Sequence, residues 1–170
     1  MQIERIAVIG AGTAGRAFAL ACVRAGFAVT LEDVMPEKLR RAEDAYAPLV
    51  SVGGVGSLRF ATTVEDAVAD ADMAIDFVPD ELESKLEIFC LLDRMAPPRT
   101  IIASPTHALS IGDLASCTYR AERCVAVRGA SLVAGDVAVV RGAAALAEVA
   151  EAVAAVWVRL GCTVTVVGEV

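Results

Sequence analysis

The chain has 170 residues, 56% of them hydrophobic and 22% charged, with 15 basic against 22 acidic side chains and a net charge of −7. The apolar content exceeds the roughly 45–50% usual for a soluble domain and excludes a disordered or collagen-like chain. The acidic balance argues against nucleic acid as a partner, because phosphate neutralisation needs a basic face.

An Ile- and Val-rich run over Ile3–Ile9, bounded by Gly10, predicts a buried strand. Helix formers over Ala14–Ala25 stop at Gly26, and Phe27–Asp33 reads as a second strand. Pro36–Tyr46 predicts a helix with proline at its start. Pro48–Phe60, with Gly53, Gly54 and Gly56, reads as a loop, and Val64–Ala69 as a short helix. Met73–Val78 is strand-like. Asp80–Met95 carries Leu82, Leu86, Phe89 and Leu92 at helical spacing and is stopped by Pro97-Pro98. Thr100–Ala103 is a strand, and Ser110 with Asp113 resembles a capping box for a short helix through Ala115. Cys124–Val127 and Val137–Val140 read as strands, Ala144–Leu160 as an amphipathic helix closed by Gly161, and Cys162–Val167 as a last strand.

Strands alternating with helices predict an α/β fold with a doubly wound, mostly parallel sheet, in one domain over residues 1–170. The last strands leave open a mixed edge. The longest charge-free stretches, 45–58 and 100–112, are shorter than the roughly 18 residues a membrane span needs, so no membrane association is expected. The five cysteines form no Cys-x-x-Cys pair and His107 is the sole histidine, so no metal site is expected. Apolar-flanked thiols, together with a start that lacks a basic n-region and a cleavage pattern, predict a cytoplasmic protein.

Gly10-Ala11-Gly12-Thr13-Ala14-Gly15 fits G-x-G-x-x-G between a strand and a helix, with Asp33 beyond the second strand. Gly10 would make a tight turn, Gly12 would admit a pyrophosphate, and Gly15 would let helix and strand pack closely. The helix start around Thr13 and Ala14 would offer free N–H groups to phosphate. Asp33 would accept hydrogen bonds from ribose hydroxyls and repel a 2′-phosphate. Val34, Met35 and Pro36 follow it rather than a basic residue, which favours NAD over NADP.

With these features the chain resembles the N-terminal domain of the 3-hydroxyacyl-CoA dehydrogenases. The likeness runs through Arg5–Gly15, Ala25–Asp33, Ala74–Lys85, Leu91–Ala103, Leu109-Ser110-Ile111 and Arg141-Gly142. It implies that Val78, Pro79, Asp80, Lys85 and Ser104 contribute to NAD binding, with Asp80 and Lys85 near the nicotinamide ribose. It also shows departures. The family's Ser-Asn-Thr-Ser-Ser motif is here Ser104-Pro105-Thr106-His107-Ala108. The family's general-base histidine falls on Arg128, and its orienting glutamate falls on Ala138. An arginine keeps its proton at neutral pH and cannot act as that base. The short Ser51–Ser57 segment stands where the family carries a long helix pair, and its helical C-terminal dimerisation domain has no counterpart in 1–170.

The resemblance therefore implies an NAD(H)-binding oxidoreductase domain acting on an alcohol/ketone pair, with an altered substrate or a need for a partner. His107 is the candidate proton-transfer group, since histidine suits that work at neutral pH, and Arg128 the candidate holder of an anion. The substrate would be small, anionic or acyl. The other reading is a non-catalytic NAD-binding module that senses the nucleotide or serves as a subunit. A homo-oligomer or partner subunit is expected, because a lost dimerisation domain would leave apolar surface.

Overall fold

The computed structural model describes residues 1–170. Eight strands form one sheet in the order β3-β2-β1-β4-β5-β6-β7-β8. The strands are β1 (Arg5–Ile9), β2 (Ala28–Glu32), β3 (Ser57–Ala61), β4 (Met73–Asp76), β5 (Ile101–Pro105), β6 (Cys124–Arg128), β7 (Asp136–Arg141) and β8 (Thr163–Gly168). The helices are α1 (Thr13–Arg24), α2 (Pro36–Val52), α3 (Val64–Val68), α4 (Leu82–Met95), α5 (Ile111–Ala115) and α6 (Ala147–Arg159). Every pairing is parallel except β6–β7. The chain crosses from one half of the sheet to the other between β1 and β4, and such switch points open a crevice at the carboxyl ends of the strands.

Strand periodicity sorts the core into two layers. On one face Val8, Ile75, Ala103, Val125 and Val139 meet Phe18 of α1 and Val153 and Trp157 of α6. On the other, Ala7, Ala74, Ile102 and Ala126 meet Phe89 and Leu92 of α4 and Leu114 of α5. Burial on both sides explains why these strands read as unbroken apolar runs. Trp157 stacks on Phe18 with ring centroids 5.2 Å apart and donates its indole N–H to the Leu132 carbonyl at 3.0 Å, which ties down the β6–β7 connection.

The predicted Pro48–Phe60 loop is corrected. Helix α2 continues to Val52 with Pro48 inside it, and Ser57–Ala61 pairs in register with β2. Half-buried Leu58 and Phe60 alternate with exposed Ser57 and Arg59, a short edge strand hidden behind three glycines. The helix predicted from Asp80 begins only at Leu82, since Pro79 and Glu81 are extended or turned there. Ser110 caps α5 by accepting the Asp113 amide N–H at 3.2 Å, as its spacing predicts.

Candidate functional site

The glycine turn divides its work as the motif predicts. Gly10 has φ +102°, a left-handed conformation costly for other residues. A Cβ on Gly15 would stand 1.9 Å from the Gly10 carbonyl oxygen, so this glycine is required by contact of helix and turn. Gly12 differs. Its φ of −64° and ψ of −175° suit any residue, and a Cβ there would meet no protein atom within 4 Å. The fold does not need glycine at position 12, and the backbone there is open to a ligand. Gly12 is also the N-cap of α1, and no side chain caps it, so the first-turn amides around Thr13 and Ala14 lack a side-chain acceptor.

Asp33 closes the far side of the turn. Its Oδ2 accepts the Ala11 amide N–H and its Oδ1 the Met35 amide N–H, each at 2.9 Å. Each oxygen keeps a further lone pair for a ribose hydroxyl. The first turn of α2 brings Lys38 Nζ to 3.8 Å from Asp33 Oδ2, a cation the linear sequence Val34-Met35-Pro36 does not reveal. Adjacent Glu32 is buried on β2. Burial, then the neighbouring Asp33 charge, raises its carboxyl above the ordinary range.

The other end of the crevice is a cleft of about 440 Å³ lined by Ala14, Phe77, Val78, Asp80, His107 and Ser131 among others. Asp80 Oδ2 accepts the backbone N–H of His107 at 3.0 Å, which clamps the β4–α4 turn to the segment after β5. Partial burial works to raise the Asp80 carboxyl, but hydrogen bonding from Thr106 and His107 outweighs it and holds it low. Lys85 is not a free surface cation. It is 1% exposed, and its Nζ donates at 2.7 Å both to Asp76 Oδ1 and to the Pro105 carbonyl. Burial drives the Asp76 carboxyl up, with the Lys85 ammonium and the nearby Ser104 hydroxyl opposing. Asp76 Oδ2 and Ser104 Oγ are buried outside hydrogen-bond geometry with any protein partner. Ser104 is fully buried and is not among the residues that line the cleft. The residue that sequence reasoning missed is Asp76. An acid inside Met73–Val78 was its signal, since a buried carboxylate needs a partner.

His107 and Arg128, predicted to act together, face different cavities. His107 is exposed at the cleft, whereas Arg128 lines a second cavity of about 670 Å³ with Ser110, Val167 and Glu169. The Arg128 guanidinium donates from Nε to the Thr106 carbonyl at 3.3 Å and from Nη2 to the Leu109 carbonyl at 3.2 Å. It brackets the His107-Ala108 segment and anchors it. The β6–β7 ladder sets Arg128 directly opposite Ala138, the two positions where the resemblance puts a base and its orienting acid.

A mostly parallel sheet with a glycine turn at its switch point, a helix whose amide end has no side-chain cap, and a carboxylate beside them is a Rossmann-type dinucleotide-binding domain. The donor set fits NAD: the amides of Gly12–Ala14 would hold the pyrophosphate, Asp33 the adenosine ribose, and Val78 and Asp80 would lie toward the nicotinamide ribose. The chain belongs to the 3-hydroxyacyl-CoA dehydrogenase family, whose NAD-binding domain matches residues 5–170. It is 32% identical to a probable 3-hydroxybutyryl-CoA dehydrogenase of Bacillus subtilis (strain 168), over 99% of this chain and 64% of that protein. It is 33% identical to a 5-formyl-3-hydroxy-2-methylpyridine 4-carboxylate 5-dehydrogenase of Mesorhizobium japonicum, over 73% of this chain and 43% of that one. The crystal structure of 3-hydroxybutyryl-CoA dehydrogenase from Escherichia coli superposes with a TM-score of 0.85 at 29% identity, covering 99% of this chain and 39% of the other. The chain thus spans less than two thirds of the length of these relatives. No helix is long and apolar enough to cross a membrane.

Proposed function

We propose that this domain supports hydride exchange between NAD(H) and a small alcohol/ketone pair, with His107 as the proton-transfer group and a partner subunit or further domain covering the cleft. The observation that carries the reading is the exchange of side chains around the cleft. Arg128 and Ala138 face each other where the family has its base and acid, and the sole histidine stands at the cleft mouth instead. NAD supplies the hydride acceptor when bound. The chain supplies the amide cradle, the ribose-binding carboxylate, and an imidazole held by its own backbone N–H to Asp80. Arg128 serves as a positioning residue for the His107 segment rather than as an anion holder. A cytoplasmic setting belongs to the same reading and is supported by five free cysteines.

Turnover of 3-hydroxybutyryl-CoA should be negligible, since loss of a general base alone removes roughly 10²–10⁴-fold. The test is NADH formation by the purified chain against small hydroxy acids and 3-hydroxyacyl-CoA esters, with His107→Ala beside it. Activity on a small substrate that falls with His107→Ala supports the reading, and robust oxidation of acyl-CoA esters by the chain alone overturns it. The second reading, a non-catalytic NAD-binding module, rests on the same Arg128–Ala138 pair and predicts NADH binding with no turnover of any substrate.

A further inference from the structure

The five free cysteines occupy unlike environments. Cys22, Cys124 and Cys162 are buried, whereas Cys90 is exposed on α4 and Cys117 is half-buried in the connection after α5. Although 27 residues separate them, Cys90 and Cys117 lie against each other. Cys90 Sγ stands 3.9 Å from the Cys117 carbonyl oxygen. Cys117 Sγ stands 3.8 Å from the carbonyl oxygen of Leu86, one helical turn before Cys90. The two thiols are within hydrogen-bonding reach of one another. Neither lines the cleft that holds Asp80 and His107, so the pair is separate from the dinucleotide site.

The contact is held on both sides. Asp93 lies three residues beyond Cys90, on the same face of α4. Its carboxylate accepts the Tyr119 amide N–H at 3.0 Å and Arg120 Nε at 2.8 Å. Buried Arg120 also donates from Nη2 to the carbonyls of Asp93 and Ala96, at 2.8 and 3.1 Å. Toward α5, Cys117 Sγ sits 3.2 Å from the Leu114 carbonyl oxygen. The segment that carries Cys117 is thus fastened to the helix that carries Cys90. A disulfide needs two cysteines whose backbones already stand close, and this fastening supplies that. The two thiols differ in access. Cys90 is open to a dissolved oxidant. Burial, then the Cys90 neighbour, pushes the Cys117 thiol up to about 11, so it stays protonated until a sulfur electrophile forms beside it. Cys124 is fully buried, its Sγ 3.4 Å from the Arg120 carbonyl oxygen, and burial pushes its thiol up to about 12.

We propose that Cys90 and Cys117 form a reversible oxidation site, in which a peroxide converts Cys90 to a sulfenic acid and Cys117 closes it to an intrachain disulfide. In the first step the Cys90 sulfur bonds to one peroxide oxygen, the O–O bond breaks, and the other oxygen leaves as water. In the second the Cys117 sulfur bonds to the Cys90 sulfur, the S–O bond breaks, and hydroxide leaves with the Cys117 proton as water. The two thiols together lose two electrons, and one hydrogen peroxide gains them and becomes two waters. A dithiol reductant reverses the bond by exchange. The disulfide staples α4 to the connection between α5 and β6.

The test treats the reduced whole chain with a small excess of hydrogen peroxide and counts its thiols after denaturation. Two of the five thiols should disappear, and the chain mass should fall by two hydrogen atoms. Peptide mapping should find Cys90 joined to Cys117, and dithiothreitol should restore all five thiols. Cys117→Ser should arrest Cys90 as a sulfenic acid that dimedone captures. Cys90→Ser should slow thiol loss by about tenfold or more, because the thiol left in the pair is shielded and protonated. Cys124→Ser should leave the disulfide yield unchanged. The unsubstituted chain is decisive without any variant. Retention of all five thiols, a disulfide between chains, a Cys117–Cys124 bond, or oxidation of Cys90 to a sulfinic acid with Cys117 still free overturns the proposal.

Discussion

The pyrophosphate end and the nicotinamide end of the crevice are built from different materials. At the pyrophosphate end the groups that shape the crevice are backbone: a turn that needs Gly10, a contact that needs Gly15, and an open approach at Gly12. At the nicotinamide end they are side chains: Asp80 on the His107 amide, Lys85 buried between Asp76 and the Pro105 carbonyl, and Arg128 fastened around the same segment. Backbone sites tolerate few sequences, so this end retains the family pattern. Side chains can be exchanged one at a time on an unchanged frame, and here Arg128 and Ala138 stand opposite each other at the positions where the resemblance puts the base and its orienting acid.

The sharpest break in that comparison lies inside the glycine turn itself. Gly15→Val should abolish folding or cost more than about 3 kcal/mol, because its Cβ would sit 1.9 Å from a backbone oxygen that cannot move aside. Gly12→Val should leave the thermal midpoint nearly unchanged yet weaken NADH by well over about tenfold, roughly 1.4 kcal/mol. Calorimetric unfolding and NADH titration of the pair separate the two roles. Equal destabilisation by both substitutions would contradict them.

At the nicotinamide end, Lys85→Met should cost about 3–5 kcal/mol, since it strands the Asp76 carboxylate in the core. The loss should shrink on acidification. A carboxyl raised above its unfolded value binds its proton more readily in the folded state. The penalty is therefore full above the raised value and fades as pH falls toward the ordinary carboxylate range. Denaturant unfolding from pH 7 to pH 4 measures this, and the double variant Asp76→Leu with Lys85→Met should recover most of the stability. A Lys85→Met variant with flat pH dependence would deny the buried pair.

Asp33→Ala should weaken NADH by roughly 10–100-fold, as expected on losing hydrogen bonds to a charged group, and narrow the preference over NADPH. Lys38→Ala should act in the opposite sense and widen that preference, because it unmasks the Asp33 charge. Paired titrations with NADH and NADPH decide, and tighter NADPH binding by Lys38→Ala would reverse the assignment.

The smallest effect is expected at Asp80. Its carboxyl is held below the ordinary range, so its contribution to stability is full above that range and lost as pH falls through the lowered value. Asp80→Asn should flatten this part of the acid limb of the unfolding profile and speed exchange of the His107 amide. Unchanged exchange at His107 would show that the clamp does not hold the segment.

The sequence by itself determined the strand–turn–helix at Gly10–Gly15, the helix stops at glycine and proline, and the cap at Ser110, all confirmed in the structure, and it placed Asp33 after the second strand, where the structure sets it beside the turn. These rest on residues whose local conformation is nearly dictated by covalent geometry or by a bond a few residues away. Only the tertiary structure decided the rest. It made Ser57–Ala61 a strand because β2 lay beside it, and it set β6 and β7 antiparallel. It buried Lys85 on Asp76, returned Lys38 to Asp33 across a helical turn, and sent Arg128 to a different cavity from His107. Each of these depends on which residues far apart in the chain are brought within a few ångströms. An edge strand, a buried ion pair and the face a side chain takes are properties of neighbours, and a linear pattern does not carry them.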